Sequence, residues 1–290
     1  GGLDVRLLLA PGARLSRDGA GEHIGQRTRS AVSVATPHHG TPLAQHLLTL
    51  QGQTLLLVLS ALATSGPGRG SIVAAARAIA LVARLDDWLR REQGPLDRLA
   101  DSLLRRIQRD RRDPLWQYLA EIERDQGALL QLTPEGADLL DAAVADRPGV
   151  DYGCVVVGVP PPQETSHVAT LRDPDQAALR ALFRLLHALT ASAHPRYPCP
   201  VPAAALRRQL DRGLGLASSA ATNDGIVPSW SQLHGRLLHV ARADHLDIVG
   251  HYTLAGGRTA DWLPSGAGFT PEGFETAWDA VAEAIARNAS

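Results

Sequence analysis

Two short segments near the C-terminal end carry side chains suited to proton transfer. Asp224 stands in Asn223-Asp224-Gly225-Ile226-Val227-Pro228, and His245 in Ala243-Asp244-His245-Leu246-Asp247-Ile248-Val249-Gly250. An imidazole titrates near neutral pH, so His245 can take a proton from a hydroxyl and return it to a leaving group. A carboxylate on the far ring nitrogen fixes the tautomer and stabilises the imidazolium, and that part is open to Asp224. Such a pair serves a nucleophile, because a serine hydroxyl is weak at neutral pH without an adjacent base. The chain holds no G-x-S-x-G, the sharp strand-to-helix turn on which such a serine is presented. Ser218, Ser219, Ser229, Ser231 and Ser265 are near the right regions, but none lies in a strand–turn–helix with flanking glycines.

Each segment also has a plainer reading. Asn-Asp-Gly is a common turn sequence. A loop histidine can cap a backbone carbonyl. The first segment reads as a tight turn after a strand and the second as a loop after another strand.

The elements that must position the pair follow from the hydrophobic pattern. Leu3 to Ala10 reads as a helix ended by Pro11-Gly12. Ser30 to Thr36 alternates and is stopped by Pro37, so it reads as a strand. From Leu43 to about Leu130 the pattern is helical, with Leu96, Leu99, Leu103, Leu104 and Ile107 marking one amphipathic face. Thr133-Pro134-Glu135 is a capped helix start. Asp151 to Val159 carries a continuous Val155-Val156-Val157 run, as in a strand buried on both faces. An insertion follows, with one helix showing Leu179, Leu182, Phe183, Leu186 and Leu189 on one side, then a Pro-rich loop and a second helix to about Leu214. Leu237 to Ala241 is the third strand. Thr270-Pro271-Glu272 starts the last helix, with Phe274, Trp278, Val281, Ala282 and Ile285 as its expected inner face. Strands separated by helical stretches imply parallel crossovers. Three strands are few for 290 residues, so further strands are expected before residue 1.

Four stretches, in order, make the chain resemble bacterial lipases and esterases of the α/β-hydrolase superfamily, of the triacylglycerol-lipase type. Gly1-Gly2-Leu3-Asp4-Val5-Arg6 is similar to the helix just after the nucleophile. Val34-Ala35-Thr36-Pro37-His38-His39-Gly40-Thr41-Pro42-Leu43-Ala44 is similar to the strand-end motif that follows it. The Asp224 and His245 segments complete the set. The resemblance implies an α/β fold class: an α/β-hydrolase fold, a parallel sheet flanked by helices, incomplete at the N-terminus. Helical cap or lid insertions are expected at about 45–130 and 163–215. It implies Asp224 as relay acid, His245 as base, and a serine two residues before Gly1. Gly1 and Gly2 would allow the close packing of that turn. Roughly a hundred residues of earlier strands would then precede the chain, at about 30 residues per βαβ unit. The substrate implied is an acyl ester or lipid, with contact at a lipid interface, and no organic cofactor is needed.

Asp244 and Asp247 resemble the carboxylates that hold a structural calcium near the catalytic histidine in some lipases. The alternative is a pair of solvated or Arg-paired acids. His38 and His39 are expected as structural or cleft-lining residues, and Arg6 as a packing or pairing residue beneath the sheet end. Leu47 to Leu62 and Ile72 to Leu85 could be lid helices or plain core. Two other functions stay open: a non-catalytic hydrolase-fold module that binds lipid or a partner, and an amide or thioester hydrolase with the same relay.

Composition narrows the classes. Apolar residues make up 44% and the net charge is −1, so nothing points to nucleic acid or an acidic tail. All 29 basic residues are Arg, and there is no Met, which with the abrupt apolar start suggests a fragment. No signal peptide is visible at residue 1, and no stretch reaches the roughly 20 apolar residues that cross a bilayer. Cys154 and Cys199 could pair in an exported chain, while the plainer reading is two free thiols.

Overall fold

The computed structural model describes residues 1–13, 20–48, 126–162, 174–252, 261 and 263–288. Helix α1 (Gly2–Leu9) buries Leu3, Arg6 and Leu9, which share one helical face. It packs against α2 (Ala20–Arg27) and against the first strand, β1 (Ser30–Val34). The alternating pattern predicts β1 as far as Thr36, but the strand stops two residues earlier. Ala35 takes a φ of +50°, which swings the chain out of the sheet before Pro37 is reached. That left-handed conformation costs a non-glycine residue about 1–2 kcal/mol. It is held by burial and by the Ala35 N–H donating to the Val155 carbonyl at 3.0 Å.

Helix α3 (Pro42–Leu47) starts at once, capped by the Thr41 side chain. Helices α4 (Gly127–Leu132) and α5 (Pro134–Ala143) follow, and Thr133 caps α5 by accepting from the Gly136 N–H at 3.0 Å. Strand β2 (Asp151–Gly158) comes next, then α6 (Pro174–Thr190), α7 (Ala204–Leu214), β3 (Arg236–Arg242) and α8 (Pro271–Ala286). The described strands form one sheet in the order β1-β2-β3, parallel throughout, as helical crossovers require.

β2 is buried on both faces. Val155 and Val157 pack with Ala241 and with Ala277 and Val281 of α8. Cys154 and Val156 pack on the other side with Leu210 of α7 and Trp230. Burying each such valine stabilises the fold by about 1.5–3 kcal/mol.

Two expectations need correction. The inner face of α8 is Ala277, Val281 and Ala284, while Trp278, Ala282 and Ile285 are exposed. Small residues let α8 lie close on β1 and β3, and Trp278 turns aside to donate its indole N–H to the Ile248 carbonyl at 3.0 Å. Helix α7, read as part of a cap insertion, packs on β3 and β2 and so forms a layer of the sheet. Helix α6 behaves differently: it packs on α3, joining Leu179, Leu182, Phe183 and Leu186 to Leu43 in one apolar cluster. The amphipathic stretch 96–107 and most of the two lid candidates lie outside the described residues. Both cysteines are free thiols, and Cys199 packs against the cluster that contains Cys154. Among the described residues no helix is long and apolar enough to cross a membrane.

Candidate active site

The pair lies beyond the C-terminal ends of β2 and β3. After its excursion through α6 and α7 the chain returns at Asn223, which forms a single antiparallel bridge with Val159, just past β2. A second bridge, Asn223 to Pro228, folds the segment back on itself. Asp224 therefore follows one bridged residue and not the strand that the sequence suggested. Gly225 at the corner has φ of +93°, and a Cβ there would meet the Phe183 ring at 2.6 Å. Both facts demand glycine.

Asp224 is fully buried, and both carboxylate oxygens are engaged twice. Oδ1 accepts the Ile226 N–H at 2.9 Å and the Val227 N–H at 2.7 Å. Oδ2 accepts the Gln232 side-chain N–H at 3.1 Å and lies 2.8 Å from His245 Nδ1. The His245 main-chain N–H also donates to the Asp224 carbonyl at 3.0 Å, so the two residues are joined twice. A carboxylate partner requires the proton on Nδ1, which leaves Nε2 of neutral His245 as the basic nitrogen. The ring keeps 28% of its surface exposed. Burial pulls its pKa down, but the charge and hydrogen bond of Asp224, with the charge of Asp244, outweigh this and raise it above the usual histidine value.

The loop carrying His245 is closed by its own acids. Asp244 Oδ1 accepts the Leu246 and Asp247 N–H groups, and Asp247 Oδ2 accepts the Asp244 N–H. Asp261 joins them, with one oxygen of each of these residues lying within 4.8 Å of the others. Burial and mutual repulsion push the Asp244 and Asp247 carboxyls up. Asp244 Oδ2 is buried without a hydrogen bond. Such crowding calls for a shared proton or a hard cation, and oxygen donors alone suit calcium.

The remaining candidates lie elsewhere. His38 is buried against the sheet, with Nε2 2.9 Å from Ser33 Oγ and its ring stacked on His234 at 4.6 Å. Burial, with the nearby His234 and Arg6, lowers its pKa to about 2, so it is a neutral structural residue. Arg6 is buried and pairs with Asp141 at 2.8 Å and Asp146 at 3.6 Å. A Cβ on Gly2 would collide with the Thr36 side chain, whereas one on Gly1 would meet nothing within 4 Å of the described atoms. The serine hydroxyls serve other partners: Ser218 to Asp211, Ser229 to Val157 and Ser231 to Gly40.

The solved structures similar to this chain include EstA from Clostridium botulinum, at 19% identity and a TM-score of 0.40, with 93% of this chain and 62% of EstA covered. They also include lipase 1 from Pelosinus fermentans, at 18% identity and a TM-score of 0.41, with 92% and 68% covered. The chain thus spans less than two thirds of EstA's length. No family model and no curated protein sequence matches it.

Sequence reasoning missed Gln232, Asp261 and His187. Gln232 gives no periodic signal, because it sits in a short 3-10 turn, Ser229–Gln232. Asp261 lies well beyond the histidine motif. His187 reads as one more position of an apolar helix, where it is buried against Phe183 with its pKa lowered by burial.

Proposed function

We propose that this chain belongs to a serine carboxylic-ester hydrolase in which Asp224 and His245 are the relay acid and base. The observation that carries the reading is the 2.8 Å contact from Asp224 Oδ2 to His245 Nδ1, made by a buried carboxylate whose other positions are already filled by neutral donors. A serine N-terminal to Gly1 supplies the hydroxyl. His245 Nε2 takes its proton as Oγ attacks the acyl carbon, and the electron pair moves to the carbonyl oxygen. Collapse of that intermediate expels the alcohol, which takes the proton from Nε2. Water, activated by the same nitrogen, then hydrolyses the acyl-enzyme.

An apolar acyl group suits the surroundings. Ile226 and Leu246, each within two residues of the pair, pack against the cluster of Leu43, Leu182, Phe183, Leu186 and Leu263. A structural calcium held by Asp244, Asp247 and Asp261 belongs to the same reading, since the ion would neutralise the crowded carboxyls and stiffen the histidine loop.

The test is turnover of a short-chain p-nitrophenyl ester. The 290-residue chain alone is expected to be inactive, and the protein carrying the residues before Gly1 active, with a G-x-S-x-G ending on Gly1. Glycine, alanine or aspartate in place of that serine would overturn the reading. Turnover by the 290-residue chain that His245→Ala abolishes would overturn only the placement of the serine before Gly1, because it would put the nucleophile inside the chain and leave the Asp224–His245 relay standing.

A further inference from the structure

Gln232 couples the sheet to the relay acid. β1 leaves the sheet at Ala35, so its last contact with β2 is at Val155, and among the described residues Val157 has no partner strand on that side. The Gln232 side chain fills the gap. Its Oε1 accepts the Val157 N–H at 2.7 Å, and its Nε2 donates to the Val157 carbonyl at 3.1 Å. A single side-chain amide thus pairs both main-chain groups of one residue, as a neighbouring strand would. The Nε2 also donates to Asp224 Oδ2 at 3.1 Å and points to the Val227 carbonyl at 3.3 Å. Gln232 is fully buried.

The turn that presents it is tied down independently. Ser231 Oγ donates to the Gly40 carbonyl at 2.6 Å, and the His38 N–H donates to the Ser231 carbonyl at 2.8 Å. Ser229 Oγ donates to the Val157 carbonyl at 2.9 Å. The loop leaving β1 thus holds the turn before β3, and that turn sets the Gln232 amide against the C-terminal end of β2.

We propose that Gln232 is a positioning residue for the Asp224–His245 pair, sharing Asp224 Oδ2 with the histidine and so setting both the orientation of the carboxylate and the strength of its bond to Nδ1. Two donors compete for one oxygen. Each withdraws electron density from the other's bond, so the bond to His245 is weaker with Gln232 present than without it. The Oε1–Val157 bond fixes which end of the amide faces the acid, because only the oxygen can accept that N–H. The inference rests on the reading of Asp224 and His245 as a relay, but not on ester turnover.

The experiment is proton NMR of the 290-residue chain in chelator-treated buffer at fixed pH, following the downfield resonance of the His245 Nδ1 proton. Its assignment is the loss of the signal in His245→Ala. Gln232→Leu is expected to move it further downfield, since the remaining bond strengthens. Ser229→Ala is the structural control: it also loosens Val157, but is expected to leave the resonance in place. A resonance unmoved by Gln232→Leu, or moved equally by Ser229→Ala, overturns the proposal. If the leucine variant does not fold, Gln232→Glu keeps the shape and, as a neutral acid, still has one proton to donate to Oδ2. A stronger donor is expected to shift the resonance upfield, and an unchanged position overturns the proposal. A shifted resonance in a protein that never cleaves esters would sink the hydrolase reading and leave this coupling standing; turnover with an unmoved resonance would do the reverse.

Discussion

Asp224 and Asp247 are both buried acids bearing on His245, yet their surroundings treat charge in opposite ways. Asp224 is met by two main-chain N–H groups, one side-chain amide and the imidazole. Asp247 is met by Asp244 and Asp261, with a single main-chain N–H bonded to its carboxylate. Desolvation penalises both anions, and what differs is the supply of donors. The first site surrounds its carboxylate with donors and a histidine. The second crowds its carboxyl against other acids, which favours a bound proton or a cation.

The largest consequence falls on Asp224. Asp224→Asn keeps the shape of the turn but favours the wrong imidazole tautomer. Ester turnover by the protein that includes the residues before Gly1 is expected to fall by about four orders of magnitude. A loss below tenfold would mean that the well-supplied acid is only structural.

An intermediate effect separates the acids from the neutral histidines. His38 has its pKa lowered to about 2, so the folded chain excludes a proton that the unfolded chain binds below its ordinary value near 6.5. Stability conferred by the neutral ring is complete above that pH and is lost on acidification. Between pH 7 and 5 the loss should be about 2 kcal/mol in urea unfolding, and His38→Gln should remove that part of the slope. An unchanged slope would place the acid sensitivity in other groups.

The smallest effect sharpens the contrast directly. The Asp247 carboxyl is raised by burial and by repulsion from Asp244, so its ionisation opposes folding as pH climbs above the ordinary carboxylate range. Without calcium, Asp247→Asn is expected to stabilise the fold at pH 8 by about 1 kcal/mol. Millimolar calcium should raise the melting temperature of the unmodified chain and not of the variant. A calcium response that survives Asp247→Asn would remove the ion from this site.

The legible parts of the sequence were those with local signals. Val155-Val156-Val157 announced a doubly buried strand, and Thr133-Pro134 and Thr270-Pro271 announced helix starts that the threonines do cap. The Asp224 and His245 segments were legible because each carries its own turn residues, and the fold brings them within one hydrogen bond. What could not be read depends on contacts distant in sequence. Ala35 ends β1 through a left-handed backbone that no residue type signalled. Gln232 matters through Val157, 75 positions away, and Asp261 through a loop it does not adjoin. The inner face of α8 is rotated from the one its large apolar residues mark, because close approach to the sheet selects Ala277, Val281 and Ala284.

The central claim is that His245, oriented by Asp224, activates a hydroxyl. It is tested most directly by covalent labelling of the protein that includes the residues before Gly1 with a fluorophosphonate, where the attacking hydroxyl displaces fluoride and gives up its proton to the base. The account predicts rapid stoichiometric labelling that His245→Ala slows by about a thousandfold or more. Equal labelling rates in the two proteins would contradict it.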